Sequence, residues 1–269
     1  MTESTTNQPI EKLRERAIVA EAVAPVEQET PVAVAPRPVR NYRALVFQGY
    51  VIAATIGFAI LFILARTIAY FDFDVTIMGA VRRINVGWFD FLMRLLSGLG
   101  YSPQVYVLCG LVIVFLFVLG LRWEAVMSLF AVAGVLTLGA IFKLLVERPR
   151  PTGPVANVLS PIAGYSFPSG HTLLFTAFCG FLWFLIYTLA PHSSRRTLGL
   201  FVLGGMVALI GVSRVYLGEH WPSDVLAAYL LGSVWLALTI YAYRWGKPRF
   251  FATQPVAPEK PQREVPTTS

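Results

Sequence analysis

Three short polar clusters interrupt an otherwise apolar chain, and their residue types suit the handling of a phosphate. The first runs from Lys143 through Arg150 to Pro151. The second is Pro168-Ser169-Gly170-His171, and the third carries Ser213, Arg214, Glu219, His220 and Asp224. Lys143, Arg150 and Arg214 offer three cations to phosphate oxygens, and the planar guanidinium makes forked contacts that an ammonium cannot. Ser169 and the Gly170 amide stand where an apolar segment begins. A helix starting there points unpaired N–H groups at an anion, and Gly170 lets the backbone come close. Such groups stabilise charge on the equatorial oxygens, which is most of what phosphoryl transfer asks of a catalyst.

Two histidines then divide the remaining work. The chain has only three, and two of them fall in these clusters. His220 and Asp224 stand four apart across Trp221-Pro222-Ser223, where Pro222 suits the first turn of a helix. Asp224 is expected to take one imidazole N–H and fix the tautomer, leaving the other nitrogen of His220 to attack phosphorus. His171 has no acidic residue at helical spacing, which suits it to protonate the leaving oxygen as a general acid.

Each cluster alone also has a plainer reading. Lys143 can snorkel to a membrane interface, Arg148 and Arg150 can meet lipid headgroups, and Pro168-Ser169-Gly170 can be a turn with a serine cap. His220 and Asp224 can be no more than an interfacial hydrogen bond. His171, His220 and Asp224 would suffice in number to hold a metal, but three neighbouring cations oppose a divalent ion, and a hard metal prefers more carboxylates. Glu147 and Glu219 fit better as salt-bridge partners of nearby arginines. No metal and no cofactor are therefore expected.

The elements that must position these clusters are membrane helices. Apolar residues make up 56% of the 269, and charged residues only 14%, against about 25% in an average globular protein. Six apolar segments are legible, at 44–65, 101–121, 125–142, 172–190, 198–213 and 225–243. The fifth is short for a span unless it continues to Leu217, since a crossing helix needs about 20 residues. The expected fold is all-α and polytopic, with six transmembrane helices. An interfacial amphipathic helix is added by Trp88, Phe91, Leu92, Leu95 and Leu99 at helical spacing, with Asp90 and Arg94 as an i,i+4 pair off that stripe. Cys109 and Cys179 lie within apolar segments and read as buried free thiols.

The expected organisation is a cytoplasmic N-terminal tail over 1–43, a membrane domain over 44–244 and a second tail over 245–269. Residues 8–23 suit a short helix, and the rest of both tails reads as disordered tether. No basic start leads into an apolar run, so a cleaved signal peptide is not expected. The net charge of +7 is spread between apolar segments rather than gathered on one face, which points to lipid headgroups and not to nucleic acid. With an even number of spans both tails share a side. That side has nine basic residues against eight opposite, and setting aside Lys143, Arg150 and Arg214 as site residues sends the tails to the cytoplasm. The end of an odd-numbered span and the start of the next lie on one membrane face. All three clusters therefore meet on the extracytoplasmic surface. A transporter would place its polar groups nearer the midplane than these helix ends.

The three clusters, in order and with this internal spacing, resemble the three-part signature of the type 2 phosphatidic acid phosphatase family, which is related to the vanadium haloperoxidases. The likeness of the signature covers residues 143 to 224, and that of the six-span layout about 44 to 244. It implies a metal-independent phosphatase of lipid phosphates or diphosphates in the cytoplasmic membrane. Lys143, Arg150 and Arg214 would bind the phosphate, with hydrogen bonds from Ser169 and Gly170. His220, oriented by Asp224, would become a phosphohistidine that water then hydrolyses, and His171 would be the acid. Undecaprenyl diphosphate is the preferred substrate. Phosphatidate, phosphatidylglycerol phosphate and transfer to an acceptor other than water are the alternatives. Arg148 has no role in that pattern, and the oligomeric state is not legible.

Overall fold

The computed structural model describes residues 37–152 and 164–250, and the expected helix at 8–23 lies outside them, as does most of both expected tails. Among the described residues every regular element is a helix. They run α1 (Arg37–Thr67), α2 (Asp72–Arg82), α3 (Gly87–Leu99), α4 (Gln104–Val118), α5 (Arg122–Val146), α6 (Gly170–Leu189), α7 (Ser194–Tyr216) and α8 (Pro222–Phe250). The first helix starts before the expected boundary at residue 44.

Five of these are long and apolar enough to cross a bilayer: α1 from Ala44, α5, α6, α7 and α8. The second expected span is the exception. α4 has 15 residues, about 22 Å at the usual helical rise and short of a hydrocarbon core of roughly 30 Å. It reaches spanning length only together with α3, from which it is bent by 67°. The fifth expected span does continue past Ser213, ending at Tyr216.

Local chemistry explains the boundaries that matter here. α5 ends at Glu147, which takes a left-handed conformation (φ 52°) and donates its N–H to the Lys143 carbonyl. The sequence Arg148-Pro149-Arg150-Pro151 cannot continue a helix, because each proline lacks an N–H and biases its predecessor toward extended backbone. α7 is capped by Ser193, whose hydroxyl accepts from the Arg196 N–H at 3.2 Å. α8 begins at Pro222, as its missing N–H favours.

α3 is amphipathic, but its apolar stripe divides. Trp88, Phe91 and Leu95 are exposed, while Met93, Leu96 and Ser97 are buried, and Leu92 and Leu99 pack partly into the core. The Arg94 guanidinium bonds Asp90 at 2.7 Å, as the spacing predicts. The main core joins α3 through α8 around Met93, Val135, Leu173, Ala177 and Ile210. Phe175–Cys179, in the middle of α6, is a π-helical turn, a feature often found near functional sites. Cys109 and Cys179 are buried free thiols. Large exposed apolar residues on α1, α4 and α5, such as Ile56, Val114 and Leu144, form the surface that lipid chains cover.

Candidate active site

The last turns of α5 and α7, the start of α6, the segment just before α8 and the α3–α4 corner line a cavity of about 700 Å³. Its polar end is lined by Lys143, Arg150, Gly170, His171, Arg214 and His220. Its other wall is apolar, with Val105, Val135, Leu136, Gly139, Ala140 and Leu174. The clusters read from the sequence thus meet on one chamber that changes from cationic to hydrocarbon along its length.

Lys143 projects from the last turn of α5, and a Cβ added to Gly170 would lie 3.9 Å from its Nζ. Arg150 reaches in from the extended segment after α5. Its Nε donates to the Gly164 carbonyl at 3.0 Å and its Nη1 to the Glu219 carbonyl at 2.8 Å. Burial pushes its pKa down from the usual guanidinium value, while Asp224 and Tyr101 pull the other way. Arg214 is almost wholly buried and ion-paired with Glu219, and it also donates to the Ser97 hydroxyl. Tyr101 donates to the same Glu219 carboxylate, and its ring lies 5.3 Å from the Arg214 guanidinium carbon. Glu219 is therefore the arginine partner it was expected to be. Glu147 instead accepts from the Tyr165 hydroxyl at 3.0 Å.

His220 is 2% exposed, and its Nε2 lies 3.2 Å from Arg150 Nη1. Arginine can only donate, so Nε2 must carry the lone pair and Nδ1 the proton. The His220 pKa sits well below 6.5, first because burial disfavours the charged ring and then because Arg150, Arg214 and Lys143 surround it. The ring is neutral, and its Nε2 lone pair faces the Arg150 donor.

Asp224 stands behind His220 with its Oδ2 3.7 Å from Nδ1, longer than a hydrogen bond. The carboxylate is held from other directions. Oδ1 accepts from Arg148 at 2.6 Å, and Oδ2 accepts from the Ser166 hydroxyl and from the Trp221 N–H at 3.0 Å. His220 precedes α8 rather than lying in it, so the four-residue spacing is not a helical turn.

His171 lies in the first turn of α6, its ring 5.1 Å from that of Tyr101 and edge-on to it. Gly100 is needed here, because any Cβ at that position would overlap the His171 ring. Ser169 caps α6 in extended conformation, but its hydroxyl is buried, accepts from Thr172 at 3.1 Å and does not line the cavity. Of the expected contributors, Ser169 and Asp224 are thus set back from the chamber that the other six line.

Several neighbours of the site were not read from the sequence: Asp74, Ser97, Tyr101, Ser166 and Ser223. Asp74 carried the most readable hint, being an acid in a chain with only 15 Asp and Glu.

A membrane-embedded helical bundle with a cationic pocket, two histidines and an apolar continuation defines a class, the integral-membrane phosphatases of lipid substrates. Residues 124–248 match the family model of the PAP2 superfamily. The chain is 31% identical over 180 residues to phosphatidylglycerophosphatase B of Bacillus subtilis, covering 65% of this chain and 85% of that one. It is 34% identical over 106 residues to an undecaprenyl-diphosphatase of Sulfolobus acidocaldarius, covering 38% of this chain and 46% of the relative. The crystal structure of a transmembrane PAP2-type phosphatidylglycerolphosphate phosphatase from Bacillus subtilis superposes with a TM-score of 0.63 at 26% identity, over 74% of this chain and 98% of that one. The chain belongs to the PAP2 superfamily and is a membrane lipid phosphatase, a hydrolase of lipid phosphate esters.

Proposed function

We propose that the enzyme removes a terminal phosphate from a membrane lipid through a phosphohistidine on His220. The carrying observation is the chamber itself. Three cations and two histidines stand at one end and an apolar wall continues from them, so that a headgroup and its hydrocarbon are accommodated together. Lys143, Arg150 and Arg214 hold the phosphate, assisted by the Gly170 amide. Ser169 supports the start of α6 from behind. His220 Nε2 attacks phosphorus, His171 protonates the departing oxygen, and water then attacks the phosphohistidine to release phosphate and restore the ring. Asp224 holds the charge that develops on the imidazole.

Phosphatidylglycerol phosphate is the first substrate to test, because the relative matched over 85% of its length carries that activity in its name. Undecaprenyl diphosphate, the substrate preferred from sequence, keeps support from the shorter match to an undecaprenyl-diphosphatase. The membrane domain over 44–244 sits in the cytoplasmic membrane, with both tails in the cytoplasm and the cavity opening outside. A reporter fused after Ser269 should then behave as cytoplasmic.

The decisive assay is phosphate release in detergent, with EDTA present, from phosphatidylglycerol phosphate, undecaprenyl diphosphate and phosphatidate. Wild type releases phosphate from at least one and His220→Ala from none. An inactive wild type, or an active His220→Ala, overturns the reading. Loss of wild-type activity in EDTA would remove its metal-free form. Labelled phosphate appearing on an added alcohol instead of in solution would make the enzyme a transferase.

A further inference from the structure

Arg148 is two residues from the cavity-lining Arg150, yet it takes no part in the chamber. Its side chain is fully buried, and it is among the largest such groups in the protein. Its donors are spent elsewhere. Nε donates to the Ala69 carbonyl at 2.9 Å, Nη1 to the Ser223 hydroxyl at 2.7 Å and to Asp224 Oδ1 at 2.6 Å, and Nη2 to Asp74 Oδ2 at 3.1 Å. The guanidinium carbon also lies 5.2 Å from the centre of the Phe71 ring.

Asp74 is equally buried and equally committed. It sits in the first turn of α2, where its Oδ2 accepts from the Phe71 N–H at 3.1 Å. Its Oδ1 accepts from the Ser223 N–H at 2.8 Å, and Oδ2 also accepts from the Ser223 hydroxyl at 2.8 Å. One guanidinium is thus held between two carboxylates, one on α2 and one in the first turn of α8. α2 was not anticipated as an element, so nothing in the sequence connected it to the histidine.

We infer that Asp74 and Arg148 are a positioning pair for Asp224, and through it for His220. With Oδ1 taken by Arg148, the carboxylate plane is fixed and Oδ2 is the atom turned toward His220 Nδ1. Removing Arg148 leaves Asp224 buried without its cation, free to rotate or to take up a proton, and the imaging charge behind the attacking ring is lost. Removing Asp74 frees Arg148 from one side and takes the acceptor from the first turn of α8. Neither residue touches the phosphate, so the loss falls on the chemical step and not on binding. A buried pair kept only for packing would move stability and leave the turnover of folded protein alone.

The inference rests on the reading of His220 as nucleophile. Its test uses full-length protein in detergent, whichever of the three lipid phosphates wild type hydrolyses fastest as substrate, and tungstate as a phosphate-like inhibitor. Arg148→Gln is expected to lower kcat about 100-fold, the scale of a small misplacement of reacting groups, with KM and the tungstate inhibition constant within about threefold of wild type. Arg148→Lys recovers part of that loss by restoring the charge. Asp74→Asn lowers kcat about tenfold, and the double variant is no worse than Arg148→Gln, because the two act on one carboxylate. Unchanged kcat in folded Arg148→Gln overturns the inference, and so does an inhibition constant rising in step with the loss, which would make Arg148 a phosphate ligand. If that variant does not fold, Arg148→Lys and Asp74→Asn are judged by the same two criteria. Full activity in His220→Ala overturns the underlying reading and the inference with it, whereas an inactive His220→Ala beside unchanged kcat in Arg148→Gln overturns the inference alone.

Discussion

The two ends of α5 carry opposite solutions to the same problem, that of keeping charge inside an apolar bundle. At the first turn, Glu124 accepts from Lys247 at 2.5 Å and from the Tyr243 hydroxyl at 2.9 Å, and Lys247 also donates to that hydroxyl at 2.8 Å. The charges there close on one another and tie α5 to α8. Among the described residues, at the last turn, Lys143 faces the chamber with no carboxylate within ion-pair distance, and Arg150 is held only by carbonyls and His220. Cations left open around a cavity cost stability unless an anion is to fill it. The charges at the first turn hold the fold together, and those at the last turn face the chamber.

The largest effect is expected at His220. His220→Ala should reduce phosphate release by at least about 10⁴-fold with folding retained, the scale of removing an attacking group. Next, Lys143→Ala and Arg150→Ala should each cost about 10²- to 10³-fold in kcat/KM, read by steady-state phosphate release. Gly100→Ala should cost less, about tenfold in kcat, because it displaces the His171 ring rather than deleting it.

The smallest effects sharpen the contrast. Glu124→Gln, at the closed end, should lower stability by about 1 kcal/mol, discounted because Lys247 is 38% exposed, and the melting temperature by a few degrees. Its turnover should stay near wild type. At the open end, His220 has a folded pKa below its unfolded value near 6.5. The unfolded chain therefore binds the extra proton first as pH falls, so His220 makes stability drop below about pH 6.5. Thermal unfolding of His220→Asn should show a shallower decline from pH 7 to pH 5 than wild type.

The sequence carried the site further than it carried the fold around it. Lys143, Arg150, Gly170, His171, Arg214 and His220 were legible because costly polar groups stand out against apolar segments, and all six line one cavity. Ser169 and Asp224 were legible as residue types but not in their geometry, which depends on Thr172, Ser166 and Arg148. Asp74 was missed because its partners lie 74 and 149 residues away, a separation that no local spacing reveals. The second expected span reaches spanning length only as α3 and α4 together, and its apolar run does not record the 67° bend between them. The free thiols and the paired Glu219 followed from composition and proximity alone.

If the chamber presents phosphorus to His220, that ring carries the phosphoryl group during turnover. The most direct measurement is rapid quenching of wild type with a labelled lipid phosphate, followed by peptide mapping of acid-labile, alkali-stable phosphoryl groups. Label is expected on His220 within the first turnover, absent from His220→Ala and lost to water as phosphate. Label on any other residue, or full turnover with no phosphoenzyme in wild type quenched at its fastest phase, would contradict it.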